Sequence, residues 1–256
     1  MLRFSANIGF LWPDLPLLAR IAAARQAGFR AVEMHWPYDV PAEAIAACAE
    51  AAGIRVTGLN THVGKAGEFG LGAVPGREAE FEVQIAEALA YCRLTGATMI
   101  HAMAGVTPAD ARARSTFAAN LRRAAAEAER QGVTLLLEPI NQRDRPGYFY
   151  SRVEDAADMI DKVAAGNIRL LFDVYHVAIA SGDVLHRLER FFPLVGHVQI
   201  AAVPSRAEPD EGEIAYRAIF AALESLGYAG FIGCEYKPRG ETAEGLVWTE
   251  RLGIHL

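Results

Sequence analysis

Short apolar runs alternate along this chain with longer stretches in which apolar residues return every three or four positions. The first kind suits buried strands and the second amphipathic helices. The runs "RFSANIGF", "AVEMHW", "RVTGLNTH", "TMIHAMAG", "TLLLEPIN", "IRLLFDVYH", "VGHVQIA" and "GFIGCEYK" read as strands. Helical spacing covers 14–27, 41–52, 77–94, 108–130, 152–163, 184–191, 214–226 and 242–252. Gly28, Gly53, Gly96, Gly132, Gly166 and Gly227 stand where helices should close before the next strand. Strands alternating with helices imply a parallel sheet. Eight such units in 256 residues predict an α/β fold, a closed (β/α)8 TIM barrel, as a single domain over residues 1–256. An open doubly wound sheet is the rival, disfavoured because no GxGxxG loop follows the first strand.

Composition narrows the class without changing the fold. A hydrophobic content of 52% supports one large core. The net charge of −6 offers no concentrated positive surface, which counts against a nucleic-acid partner. Cys48, Cys92 and Cys234 are odd in number and widely spaced. They fit neither a zinc pattern nor a disulfide framework, and suit small buried hydrophobes in a reducing cytoplasm. No apolar run reaches membrane-spanning length, and the apolar N-terminal stretch is broken by Asn7, Pro13 and Asp14. A cytoplasmic protein without a membrane partner is expected; a homodimer is plausible, although no residue specifies it.

The strand pattern then locates the chemistry. In a barrel, alternate side chains of each strand face the helices and the interior. Leu135 and Leu137, Leu170 and Phe172, Val198 and Ile200, and Ile232 and Cys234 are all apolar and suit contact with helices. The opposite parity points Glu138, Asp173, Gln199 and Glu235 inward, each near the C-terminal end of its strand. Active sites of this fold lie at that face. Three carboxylates together repel one another and shift upward in pKa unless a cation joins them. Carboxylate and amide oxygens suit a single Mg²⁺ or Mn²⁺.

The segments "LLLEPINQRDRPGYF", "LLFDVYH", "HVQIAAVPSRAEPDEGEIAY" and "FIGCEYKP" resemble, in order and spacing, the hydroxypyruvate isomerase family. The similarity includes the 2-oxo-tetronate isomerases, within the xylose isomerase-like TIM barrels. It extends to "FSANIGFLW" and "AVPGREAEF", and so covers nearly the whole chain. The resemblance implies that Glu138, Asp173, Gln199 and Glu235 are metal ligands. Glu138 and Glu235 also fall on its paired proton donor and acceptor, and His176 and Arg206 on positions that hold substrate oxygens. It further implies Mg²⁺ or Mn²⁺ and a small hydroxy-oxo acid or sugar acid as substrate. One local departure is "GKAGEFG" at 64–70, which lacks the arginine expected there and so removes one carboxylate-binding group.

Moving a carbonyl by one carbon passes through an enediolate, so a cation and two carboxylates suit the task. Arg206, in a polar loop, offers a planar fork for a substrate carboxylate. Glu33, His62, His101 and Lys237 also lie near strand ends and are expected in a supporting role or a structural one. His197 is expected in the core. Phe10, Trp12 and Trp36 are candidate pocket walls. Two alternatives stand beside this reading. One is a zinc phosphodiesterase of the endonuclease IV kind, which His62, His101, Glu138, Asp173 and His176 would partly suit, although Gln199 stands where a zinc-binding histidine is wanted. The other is a non-catalytic sugar-acid binding protein.

Overall fold

The computed structural model describes residues 1–256. Its eight strands are all parallel and close into a barrel in sequence order. They are β1 (Arg3–Asn7), β2 (Ala31–Met34), β3 (Arg55–Asn60), β4 (Met99–His101), β5 (Thr134–Leu137), β6 (Ile168–Asp173), β7 (Val195–Ile200) and β8 (Phe231–Cys234). The outer layer is α1 (Leu17–Gln26), α2 (Ala42–Ala52), α3 (Glu78–Thr95), α4 (Ala111–Glu129), α5 (Val153–Val163), α6 (Val174–Ala180), α7 (Val184–Phe191) and α8 (Tyr216–Ser225). Two short helices, α9 (Thr242–Gly245) and α10 (Trp248–Leu252), end the chain where one helix over 242–252 is expected. No helix is long and apolar enough to cross a membrane.

The period of two along the strands holds. Leu135, Leu137, Leu170, Phe172, Val198, Ile200, Ile232 and Cys234 are completely buried in the apolar cluster between strands and helices. The inward set is in register across three strands: Asp173 pairs with Gln199, and Gln199 with Gly233. A Cβ on Gly233 would stand 2.3 Å from Glu33 Oε1 and 2.8 Å from Gln199 Cγ. The bare backbone there makes the space in which those two side chains meet.

Two local expectations change. The apolar run after Ile168 does not stay extended to His176: the strand stops at Asp173, and α6 begins at Val174. The Asp173 carboxylate accepts from the Tyr175 amide at 2.8 Å, an N-cap that turns the chain into a helix. Asp173 and His176 therefore share one helical turn. Helix α5 closes on Ala164, with φ of 57°, two residues before the glycine expected to end it.

Candidate active site

A cleft of about 510 Å³ opens at the C-terminal face of the barrel. Glu138 and Glu235, each one residue beyond its strand, line it with His101, His176 and Arg206. Single ligand-type atoms of Glu138, Asp173 and His176 lie within 4.8 Å of one another. Phe10, Trp36 and Phe69 form its aromatic walls. Trp12 instead packs edge-on against Phe29.

Beneath the cleft, Glu33 organises a buried polar floor. It accepts from Gln199 Nε2 at 2.8 Å, Asn7 Nδ2 at 3.1 Å and Ser5 Oγ at 3.3 Å, and its Oε2 lies 2.6 Å from His197 Nε2. Burial pushes the Glu33 carboxyl up, but His197 and the amide donors outweigh it and hold the group below its usual range. His197 is buried as expected, yet it is the partner of a carboxylate rather than an apolar-core residue. The Gln199 amide nitrogen must face Glu33, so its oxygen must face away. That oxygen, Glu138 Oε1 and Asp173 Oδ2 are all buried without a hydrogen-bond partner. Buried acceptors are rarely left unpaired unless something absent from the protein chain completes them. Three unpaired oxygens from carboxylates and an amide fit a hard divalent cation.

The electrostatics carry the same strain. Burial, then Glu235 and Asp173, push the Glu138 carboxyl well above the carboxylate range. Burial, then Glu235, push Asp173 up to about 7. Burial, then Arg206, hold the His176 imidazole well below its ordinary value, and burial, then His35, bring His101 down to about 3. Both histidines are neutral near pH 7.

Both ring nitrogens of His176 have polar partners. The Asn141 backbone N–H donates to Nδ1 at 3.3 Å, and Asn141 Nδ2 approaches the same atom at 2.6 Å. Nε2, on the other side of the ring, lies 3.4 Å from Arg206 Nη2, a group that only donates. Nε2 also faces Asp173 Oδ2 at 3.6 Å and Glu138 Oε1 at 3.8 Å.

Arg206 reaches into the cleft with its guanidinium between the rings of Tyr175 (4.8 Å) and Phe10 (5.0 Å). It is engaged by Glu235 at 3.2 Å and Asp144 at 3.3 Å. Burial disfavours its charge, but Glu235, Asp173 and the other acids outweigh that and raise its pKa. His101 Nδ1 lies 3.1 Å from Glu138 Oε2. Lys237 is exposed at the rim. His62 stacks on Tyr38 with ring centroids 5.0 Å apart and does not line the cleft. Of the supporting and structural roles expected of it, this placement is the structural one: β3 ends at Asn60, and beyond it the alternation of strand faces no longer applies.

Among the cleft residues missed in the sequence are His35, Asp144, Arg145 and Tyr175. His35 Nε2 lies 3.1 Å from Glu235 Oε1, and a Cβ on Gly9 would collide with the His35 ring at 2.3 Å. The signal was present: His35 continues the inward parity of Glu33. Asp144, Arg145 and Tyr175 come from a loop and from the first turn of a helix, where no strand period applies.

Residues 21–252 match the family described as Xylose isomerase-like TIM barrel. A 2-oxo-tetronate isomerase of Cupriavidus necator is 47% identical over 253 residues, covering 97% of each chain. A hydroxypyruvate isomerase of Escherichia coli is 38% identical, covering 98% of this chain and 99% of its own. A solved structure from Brucella melitensis, described as an AP endonuclease of family 2, superposes with a TM-score of 0.95 at 39% identity, covering 98% and 99% of the two chains. The chain belongs to the xylose isomerase-like TIM barrel family and, within it, to the hydroxypyruvate and 2-oxo-tetronate isomerases, a group of intramolecular oxidoreductases.

Proposed function

We propose that this chain isomerises a small hydroxy-oxo acid, either hydroxypyruvate to tartronate semialdehyde or a 2-oxo-tetronate, with one divalent cation, Mg²⁺ or Mn²⁺. The observation that carries this reading is the set of unpaired buried oxygens on Glu138, Asp173 and Gln199, the first lining one cleft with Glu235 and the other two paired on neighbouring strands. These four residues would hold the cation. When bound, it supplies Lewis-acid stabilisation of negative charge on substrate oxygens.

The chain's own groups do the rest. One of Glu138 and Glu235 removes the proton from the carbon beside the carbonyl. The electron pair left behind makes the enediolate, and the other glutamate returns a proton to the old carbonyl carbon. A proton also passes from the hydroxyl oxygen to the former carbonyl oxygen, so no oxidant or reductant is needed. The His176 imidazole and the Arg206 guanidinium contact substrate oxygens at the reacting carbons. Glu33 fixes the Gln199 amide with its oxygen turned away from Glu33. Product formation from hydroxypyruvate and from 2-oxo-tetronate, with Mn²⁺ supplied, tests the reading; turnover of neither would sink it.

The phosphodiesterase alternative is weakened by His62, which is turned onto Tyr38, and by an amide at position 199. The binding-protein alternative leaves two cleft-facing glutamates without a task.

A pH dependence follows. Unfolded carboxylates titrate near ~4, whereas folded Asp173 is pushed up to about 7 and Glu138 is also raised. Between these values the folded chain binds more protons than the unfolded one. Without a cation, its stability therefore falls as pH rises through that window. Ionised oxygens are what a cation needs, so stabilisation by added Mn²⁺ grows over the same range. The Tm difference between Mn²⁺-treated and EDTA-treated protein should be larger at about pH 8 than at about pH 5. A difference independent of pH would show that these carboxylates do not take the metal.

A further inference from the structure

Three cations line the cleft: Arg145, Arg206 and Lys237. Arg206 is committed to Glu235 and Asp144. Lys237 is exposed at the rim, 5.9 Å from the Phe10 ring. Arg145 differs from both. Like Lys237 it forms no ion pair, but it is half-buried and its Nε is buried without a hydrogen-bond partner. Its guanidinium carbon lies 3.8 Å from the centroid of the Phe69 ring.

Both halves of this pair are held in place. Gln142 Nε2 donates to the Tyr148 carbonyl at 2.9 Å, and the Gly147 amide donates to Gln142 Oε1 at 2.7 Å. The Asp144 amide donates to Asn141 Oδ1 at 2.9 Å, and the Arg145 amide to the Asn141 carbonyl at 3.1 Å. Phe69 has a φ of 52°, a conformation that side-chain-bearing residues rarely adopt. Its ring stands edge-on to Trp36 and Tyr148, each 6.0 Å away. The chain thus keeps a strained aromatic plate under a guanidinium that has no anion of its own.

We infer that Arg145, seated on Phe69, reads the substrate carboxylate, whereas Arg206 serves the oxygens at the reacting carbons. The inference rests on the proposed isomerase reading. An acid substrate must enter a cleft already lined by Glu138, Glu235 and Asp144, so it needs a cation that those acids have not neutralised. Arg145 and Lys237 both have that free charge, but only Arg145 is half-buried and presents a planar fork, which suits a carboxylate. In both proposed substrates the carboxylate is attached to one of the two reacting carbons. Its reader must therefore share the cleft with the glutamate pair, as Arg145 does. The arginine lacking from 64–70 is replaced in function by one from the loop after β5.

The test compares substrates that differ only in this group. Erythrulose is 2-oxo-tetronate with a hydroxymethyl in place of the carboxylate, and dihydroxyacetone stands in the same relation to hydroxypyruvate. With Mn²⁺ supplied, Arg145→Gln should lower the acid-over-neutral ratio of kcat/KM by roughly 30- to 100-fold, mainly through KM for the acid. Arg145→Lys keeps the charge but not the fork and should fall between. Arg206→Gln should weaken acid and neutral substrates alike, and Lys237→Gln should shift the ratio less than Arg145→Gln. Calorimetric titration with tartronate, a hydroxy-diacid that cannot isomerise, reads the same contact without turnover. Its Kd should rise by a similar factor in Arg145→Gln. An unchanged ratio and an unchanged tartronate Kd in Arg145→Gln, or a ratio lost in Lys237→Gln instead, would overturn the assignment. Wild-type protein that binds tartronate through Arg145 but isomerises neither acid would refute the isomerase reading and leave the carboxylate contact standing.

Discussion

Glu138→Gln and Glu235→Gln should each abolish isomerisation, even at metal concentrations that restore full occupancy. Glutamine keeps the shape and one oxygen ligand but cannot accept a proton. General acid–base catalysis typically contributes ~10²–10⁴-fold, so the loss should be at least of that order. The two variants should differ in one respect. The variant that lacks only the returning acid can still remove the first substrate proton and exchange it with solvent deuterium, while forming no product. The variant that lacks the base should do neither, and the roles should exchange in the reverse direction. Metal content, product and deuterium uptake need to be measured on the same preparations. Near-normal turnover in a metal-saturated single variant would rule out the two-glutamate mechanism.

Removal of the cation should be as severe. Prolonged treatment with EDTA should eliminate turnover, and Mn²⁺ or Mg²⁺ should restore it. Asp173→Ala and Gln199→Ala should weaken Mn²⁺ binding in calorimetry while the barrel stays folded. Asp173→Ala should have the larger effect, since it removes a charged ligand with an unpaired buried oxygen, while Gln199 contributes a neutral one. Asp173→Ala also deletes the cap of α6, worth about 1 kcal/mol. Asp173→Asn retains a capping oxygen, so a lowered Tm shared by both variants reports lost metal and not the lost cap. Unchanged Mn²⁺ affinity in both Asp173→Ala and Gln199→Ala would remove them from the metal site.

Much of this was legible because a barrel strand has a strict period of two. Once Leu170 and Phe172 face the helices, Asp173 must face in, and the same parity carries Glu138, Gln199 and Glu235. The limits arose where that period stops. His176 was read at the end of a strand but begins a helix, because Asp173 caps it. His62 lies beyond the end of β3 and turns onto Tyr38. Asp144 and Arg145 sit in a loop whose direction is set by side-chain bonds from Asn141 and Gln142, a pattern without periodicity. His35 was within reach of the parity argument through Glu33, yet its contact with Glu235 passes over the end of β1, which lies between β2 and β8, and needs Gly9 to leave the space.

The most direct measurement is one NMR experiment: wild-type protein with Mn²⁺ in D₂O, incubated separately with hydroxypyruvate and with 2-oxo-tetronate. The predicted result is conversion of at least one acid to its isomer, with deuterium entering at the former carbonyl carbon as the new carbon–hydrogen bond forms. Transfer of one proton by a single glutamate without exchange would give isomer lacking deuterium. A substrate that binds but neither isomerises nor exchanges would contradict the proposed isomerase chemistry.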